Sequence, residues 1–263
     1  MAPYSALAVG YDLVMDHVEY ERWAAYVHHL LNEHGDEVES VLELGCGTGS
    51  LALQLQPLGA YDYVGTDRSS QMVRVGQIKA EEAGAPIDFA VADFTDFTTE
   101  HAFDAVVLLY DGLNYALEKD DVRALLRNVW QALRPGGIFC FDQSTPSNSV
   151  NNDTKFEDRG EADGFAYVRH SRYNPEERLH TTTIEMTIEG QRYVEEHVQR
   201  AYTFDEVRAL IREADLMEVA AYHNFTTDPA TAESERIHWV VRRPSTDSST
   251  ASSDPTQQEA ARD

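Results

Sequence analysis

The chain has 263 residues, a length that suits one α/β domain with a continuous core and an insertion. Its 46 acidic against 21 basic residues give a formal charge of -25, and the absence of any Lys/Arg run argues against a nucleic-acid surface, because phosphate binding needs clustered cations. No segment approaches the ~20 apolar residues that span a bilayer, and no basic stretch precedes an apolar one near Met1, so a membrane partner is excluded and a cytoplasmic protein is expected.

The lysines are Lys79, Lys119 and Lys155; so acidic and lysine-poor a surface reads as halophilic, remaining hydrated where salt screens its self-repulsion. Residues 8–33 carry Leu13, Tyr20, Trp23, Tyr26, Val27 and Leu30 at helical spacings and predict one or two helices. The run Val41-Leu-Glu-Leu-Gly-Cys-Gly-Thr-Gly-Ser50 then reads as a buried strand emptying into a glycine turn that opens a helix over 50–56. Gly45, Gly47 and Gly49 remove side chains where the backbone bends with positive φ and comes close to a ligand. Glu43, just before the turn, would repel a pyrophosphate but accepts hydrogen bonds from an ammonium group. Cys46 sits in the turn as a small filler, and Cys140 in a buried strand; both are expected to be reduced.

A strand over 61–66 ends at Asp67, about 20 residues after the glycines, the spacing at which a carboxylate accepts from ribose hydroxyls. Helix 70–83 leads to strand 87–92 and to Asp93-Phe94, a carboxylate and an apolar face suited to an adenine amino group and ring. Residues 103–109 have the near-continuous apolar run of a central parallel strand, followed by helix 119–133 and strand 137–142. The alternation predicts a doubly wound, Rossmann-like α/β sheet. From 143 to about 161 the chain is polar and turn-rich, expected as a mobile lid, and residues 165–171, 179–189 and 191–201 then alternate as antiparallel strands would. Together, about 143–201 predicts an inserted β-rich cap within one domain over 1–243. Thr203 and Glu206 form a capping box for a helix reaching about 214, strands over 216–225 and 237–241 close the sheet, and 244–263 reads as a disordered acidic tail.

At this point the chain resembles the class I S-adenosylmethionine-dependent methyltransferases of the small-molecule type. The family's glycine motif is matched by Glu43-Leu-Gly-Cys-Gly-Thr-Gly49, its ribose acid by Asp67 in Gly65-Thr-Asp-Arg-Ser69, its adenine acid by Asp93, and its post-helix turn by Leu133-Arg-Pro-Gly-Gly137. The resemblance covers about 4–243 and implies a seven-stranded sheet with an antiparallel last strand and S-adenosyl-L-methionine as cofactor. The implied cofactor set is Tyr11, Glu43, Gly45, Cys46, Gly47, Gly49, Asp67, Arg68, Met72, Asp93, Phe94 and Tyr110. Tyr20, Trp23, Tyr115 and His197 are the candidate substrate contacts; the resemblance also implies that Tyr11, Tyr20 and Trp23 close over the methionine end of the cofactor, where aromatic faces suit a sulfonium cation.

The segment Tyr110-Asp-Gly-Leu-Asn-Tyr115 ends the central strand, where ligands bind in open α/β sheets. Asp111 is the candidate to orient an amine or remove its proton and Asn114 to hold a substrate polar group; turn-forming roles for both stand beside this reading. No His, Cys and carboxylate spacing points to a metal. The chain also lacks an Asn-Pro-Pro-Tyr or Asp-Pro-Pro-Tyr run, which favours a small-molecule methyl acceptor over nucleic acid. The expected function is methyl transfer to an amine or hydroxyl of a small molecule. Two alternatives stand: a NAD-type dinucleotide oxidoreductase, because Gly47-Thr-Gly-Ser-Leu-Ala52 also satisfies that fingerprint, and a non-catalytic S-adenosylmethionine-binding partner protein. A cap of this size suits substrate burial or pairing into a homodimer.

Overall fold

Apolar stripes and glycine turns set the order of the elements. The computed structural model describes residues 3–152, 157–162 and 164–245. A 3-10 turn, Leu7–Val9, and the one-turn helix α1, Tyr11–Val14, precede α2, Tyr20–His34, which buries Trp23, Ala24, Val27, Leu30 and Leu31 on one stripe. Strands β1 (Ser40–Leu44), β2 (Asp62–Asp67), β3 (Ile87–Val91), β4 (Phe103–Leu108) and β5 (Leu133–Ser144) pair in parallel, connected in part by α3 (Ser50–Gly59), α4 (Ser70–Ala83) and α5 (Lys119–Ala132).

After α6 (Pro146–Asn152), strands β6 (Glu157–Ala162), β7 (Phe165–Asn174), β8 (Leu179–Ile188) and β9 (Gln191–Arg200) form a separate antiparallel sheet in that order. The chain returns through α7 (Phe204–Glu213), capped by reciprocal bonds between Thr203 and Glu206, to β10 (Met217–His223) and β11 (Arg236–Arg242). Strand β11 runs antiparallel to both β5 and β10, giving the order β10-β11-β5-β4-β1-β2-β3. This is the doubly wound sheet with an antiparallel last strand and a β-rich cap.

Apolar layers cover both faces of the large sheet. Leu42, Leu44, Val106, Phe139 and Trp239 pack with α5 and α7, while Val41, Ala105, Val107 and Val240 pack with α2 and α3. Each fully buried Leu or Val contributes roughly 1.5–3 kcal/mol. A third cluster joins the amino-terminal segment to the cap through Ala6, Leu7, Val14 and Met15 against Phe165, Tyr167, Ile184 and Met186.

Several boundaries differ from the sequence expectation. The polar stretch expected as lid contains helix α6 and strand β6; the latter, Glu-Asp-Arg-Gly-Glu-Ala, has no apolar alternation and is held as an edge by pairing with β7, with Asp158 accepting from Arg169 (2.8 Å) and Tyr167 (3.0 Å). Helix α3 runs through Pro57 to Gly59, since losing one backbone bond near its end is outweighed by burial of Leu55 and Gln56. Leu133-Arg-Pro-Gly-Gly137 is the irregular start of β5, where the register against β4 shifts. The expected tail lies, beyond Ser245, outside the described residues.

Candidate active site

The sheet order reverses beside β1, whose neighbours are β2 and β4, so the carboxyl ends of these strands bound a crevice. From β1 the chain enters the glycine turn with Gly45, Gly47 and Gly49 at φ of 64°, 54° and 72°. A Cβ on Gly49 would lie 2.7 Å from the Phe89 ring, so that glycine serves helix-sheet packing. Asp67 closes β2 and accepts from the Gly47 N–H (3.0 Å) and the Ser69 N–H (2.8 Å), which fixes the turn against the carboxylate. Burial pushes the Asp67 carboxyl above its usual value, against the pull of those two amides. Glu43 is 4% exposed, accepts from Tyr63 Oη (2.8 Å), and is raised by burial to about 8.

Three adjoining cavities share Tyr11 and Tyr110. The first, about 710 Å³, is lined by Tyr4, Gly45, Gly47, Asp67, Arg68, Met72, Phe94 and Tyr115. The second, about 420 Å³, lies beside it under Tyr20, Trp23, Glu43 and Cys46. The third, about 990 Å³, separates the core from the cap, with Tyr4, Asp111 and Tyr115 on one side and Arg169, Ser171, His180, Thr182 and His197 on the other.

Three expected site residues line none of these cavities. Gly49 faces Phe89. Asp93 is half-buried, and its Oδ1 accepts from Thr95 N–H (2.9 Å) and Oγ1–H (2.7 Å). Asn114 corrects an expectation. It is 1% exposed, its Nδ2 donates to the carbonyls of Ser144 (2.8 Å) and Arg200 (2.7 Å), and its Oδ1 accepts from Ser144 N–H (2.9 Å), so no part of the amide is left for a substrate.

Asp111 does face the third cavity. Tyr110 and Asp111 both adopt left-handed backbone, at φ of 59° and 62°, a costly pair for non-glycine residues. The Asp111 N–H points between both oxygens of Asp142 (3.3 Å each), and its Oδ1 pairs with Arg236 Nη1 at 2.7 Å. Arg236 also pairs with Asp142, and its guanidinium lies 5.3 Å from the Trp23 ring centre and 5.8 Å from that of Tyr110. Burial lifts the Asp142 carboxyl to about 7 although Arg236 works against it.

Sequence reasoning missed Tyr4, Arg169, Glu195 and Arg236. Tyr4 precedes any periodic segment, and Arg236 opens a short strand after acidic residues. The inward placement of Glu195 and His197 was legible as alternation in Tyr193-Val-Glu-Glu-His-Val198, had polar residues been allowed on the buried face. Among the described residues no group of three His, Cys, Asp or Glu has the arrangement to hold a metal, and no helix is long and apolar enough to cross a membrane.

The donor chemistry fits S-adenosylmethionine: a carboxylate braced by the glycine turn, an acid beneath it, and tyrosine walls suited to a sulfonium. The fold is that of the class I S-adenosylmethionine-dependent methyltransferases. Residues 41–137 match the family described as methyltransferase domain. A protein of Geobacillus sp. (strain WCH70) named as a methyltransferase is 27% identical over 246 residues, covering 91% of this chain and 99% of that one. The crystal structure of an S-adenosylmethionine-dependent methyltransferase from Clostridium acetobutylicum superposes with a TM-score of 0.77 at 22% identity, over 90% of this chain and 96% of the other. The S-adenosylmethionine-bound amino pentose methyltransferase of Micromonospora echinaspora gives 0.68 at 18% identity, over 86% and 92%. At such identities the structures share the fold with this chain.

Proposed function

We propose that this methyltransferase acts on an amine or hydroxyl of a small polar molecule seated between the core and the cap. The observation that carries the reading is the third cavity: it shares Tyr4, Tyr11, Tyr110 and Tyr115 with the first, and its far wall is polar, with Arg169, Ser171, His180 and Thr182. The amino pentose acceptor named for the Micromonospora relative has the same character.

When bound, S-adenosylmethionine supplies a methyl carbon on a sulfonium leaving group. In this reading Asp67 accepts from the ribose hydroxyls, Phe94 and Met72 face the adenine, and Arg68 closes the rim. Glu43 takes the ammonium of the methionine end, with Tyr11, Tyr20 and Trp23 around it. Asp111, held by Arg236, orients the acceptor, placing its nucleophilic atom ~3 Å from the methyl carbon, where most of the rate advantage of such a displacement arises. The oxidoreductase reading gives way to the methyltransferase family match.

Asp67→Ala should weaken S-adenosylhomocysteine binding about 100-fold, the scale of hydrogen bonds to one charged group. Calorimetric titration checks this, and near-normal affinity would remove Asp67 from the ribose role. The function itself is tested by transfer of labelled methyl to a panel of amino sugars, amino alcohols and phenols in molar potassium chloride. Labelled product with one chemical class supports the reading. Intact cofactor binding with no product from any member would replace it with the non-catalytic binding protein.

A further inference from the structure

We infer that Tyr4, Tyr115 and His197, braced by Glu195, form a proton path along the wall of the acceptor cavity that ends on His197 Nδ1. The inference rests on the acceptor reading above. Its starting point is strand β9, which buries Glu195 (0% exposed) and His197 (3%) while Val194 stays 44% exposed. Burying a carboxylate and an imidazole instead of a valine costs several kcal/mol of desolvation unless each is fully partnered.

The partners form a directed chain. The Tyr4 (2.7 Å), Ala6 (2.6 Å) and Leu7 (3.1 Å) N–H groups donate to Glu195, which ties the amino-terminal segment to the cap. Burial pushes the Glu195 carboxyl up, but the bonds from His197 and these amides outweigh it and hold it below its usual value. An ionised carboxylate only accepts, so the 3.3 Å contact from His197 Nε2 to Glu195 Oε2 puts the imidazole proton on Nε2. The lone pair of Nδ1 then faces Tyr115 Oη, also at 3.3 Å. With Tyr115 donating to His197, the Tyr115 oxygen accepts from the Tyr4 hydroxyl, which is in hydrogen-bond contact with it. The Tyr4 ring packs edge-on against His197, with centres 4.5 Å apart. Tyr4 and Tyr115 line both the adenosyl-side and the acceptor-side cavities, so the path opens where the two meet.

In the transfer, the acceptor lone pair forms the bond to carbon and the carbon–sulfur bond gives its electron pair to sulfur. The acceptor proton goes to Tyr4 Oη, the Tyr4 proton to Tyr115 Oη, and the Tyr115 proton to His197 Nδ1, leaving both phenols neutral and an imidazolium beside the Glu195 carboxylate. No charged tyrosinate forms, which matters because burial raises the Tyr4 and Tyr115 hydroxyls well above the ordinary phenol value. The groups facing His197 are Glu195 on its own strand, Thr182 opposite on β8, Tyr4 and Tyr115, with Asp111 and His180 across the cavity. In this scheme Glu195 is a positioning residue.

The test uses the full chain with isotope-labelled histidine, saturated with S-adenosylhomocysteine, and needs no acceptor. The nitrogen spectrum of neutral His197 should show Nε2 protonated and Nδ1 bare, and Tyr115→Phe should shift Nδ1 while the fold, read from the remaining histidines, is unchanged. A proton on Nδ1 overturns the path. With an acceptor from the panel, Tyr115→Phe and His197→Gln should lower kcat by about 100-fold, a typical contribution of general-base catalysis, and His197→Gln, which lies outside the adenosyl-side cavity, should do so at unchanged KM for S-adenosylmethionine. Both should keep rising with pH where the wild type levels off, because hydroxide then replaces the lost base. Parallel pH profiles with wild-type kcat overturn the path. No product from any acceptor overturns the acceptor reading, and the nitrogen spectra then decide the path alone.

Discussion

Among the described residues Glu43 accepts from the Tyr63 hydroxyl, and burial places its carboxyl at about 8, so near neutral pH it is mostly protonated in the free chain. A ligand ammonium favours the carboxylate, hence binding should release a proton, and affinity for S-adenosylhomocysteine should rise as pH climbs toward about 8. The stability effect has the opposite sign. Between the ordinary 4.5 and about 8 the folded chain holds a proton that the unfolded chain has lost, so Glu43 costs stability progressively as pH rises through that window. Glu43→Gln should therefore raise the Tm of the free protein above that of the wild type at mildly alkaline pH, leave it unchanged at acidic pH, and abolish proton release. Thermal scans at both pH values and titration calorimetry in two buffers of different ionisation enthalpy check the set. Wild-type proton release in the variant would show that another group is responsible.

Among the elements, Asn114 joins three: its own 3-10 turn (Gly112–Tyr115), the end of β5 through Ser144, and the end of β9 through Arg200. It thereby ties the cap to the core. Asn114→Ala would leave the Ser144 N–H and two carbonyls unpaired in a buried place, a loss of about 3 kcal/mol. Urea unfolding checks this, and a loss under 1 kcal/mol would mean that water replaces the amide. The sequence shows an Asn after the central strand but not whether its amide meets backbone or cavity, since that depends on β9, distant in the chain. The parallel strands were legible because their apolar runs state burial on both faces, and the glycine turn because positive φ at Gly45, Gly47 and Gly49 requires that residue type. Strand β6 was not, since its stability comes from pairing with β7 and not from its own side chains.

For the molecule as a whole, the formal charge of -25 leaves carboxylates that the available cations do not neutralise. The arginines of the described ion pairs are largely committed: Arg134 to Asp104, Arg178 to Glu206, Arg208 to Glu218 and Arg236 to Asp111 and Asp142. The remaining surface repels itself over a Debye length, which shrinks from ~30 Å in dilute buffer to ~3 Å in molar salt. Unfolding spreads those charges, so low salt favours the unfolded chain. Raising potassium chloride from dilute buffer to molar concentration should therefore lift Tm by about 5–10 °C, equivalent to roughly 2–3 kcal/mol for a chain of this size. Most of the rise should come at the low end of the range, where screening changes fastest with concentration. Thermal scans over a salt series decide it. A fall in Tm would mean that the exposed ion pairs contribute more to stability than the excess negative charge takes away, and the acidic surface would then lose its meaning as a salt adaptation.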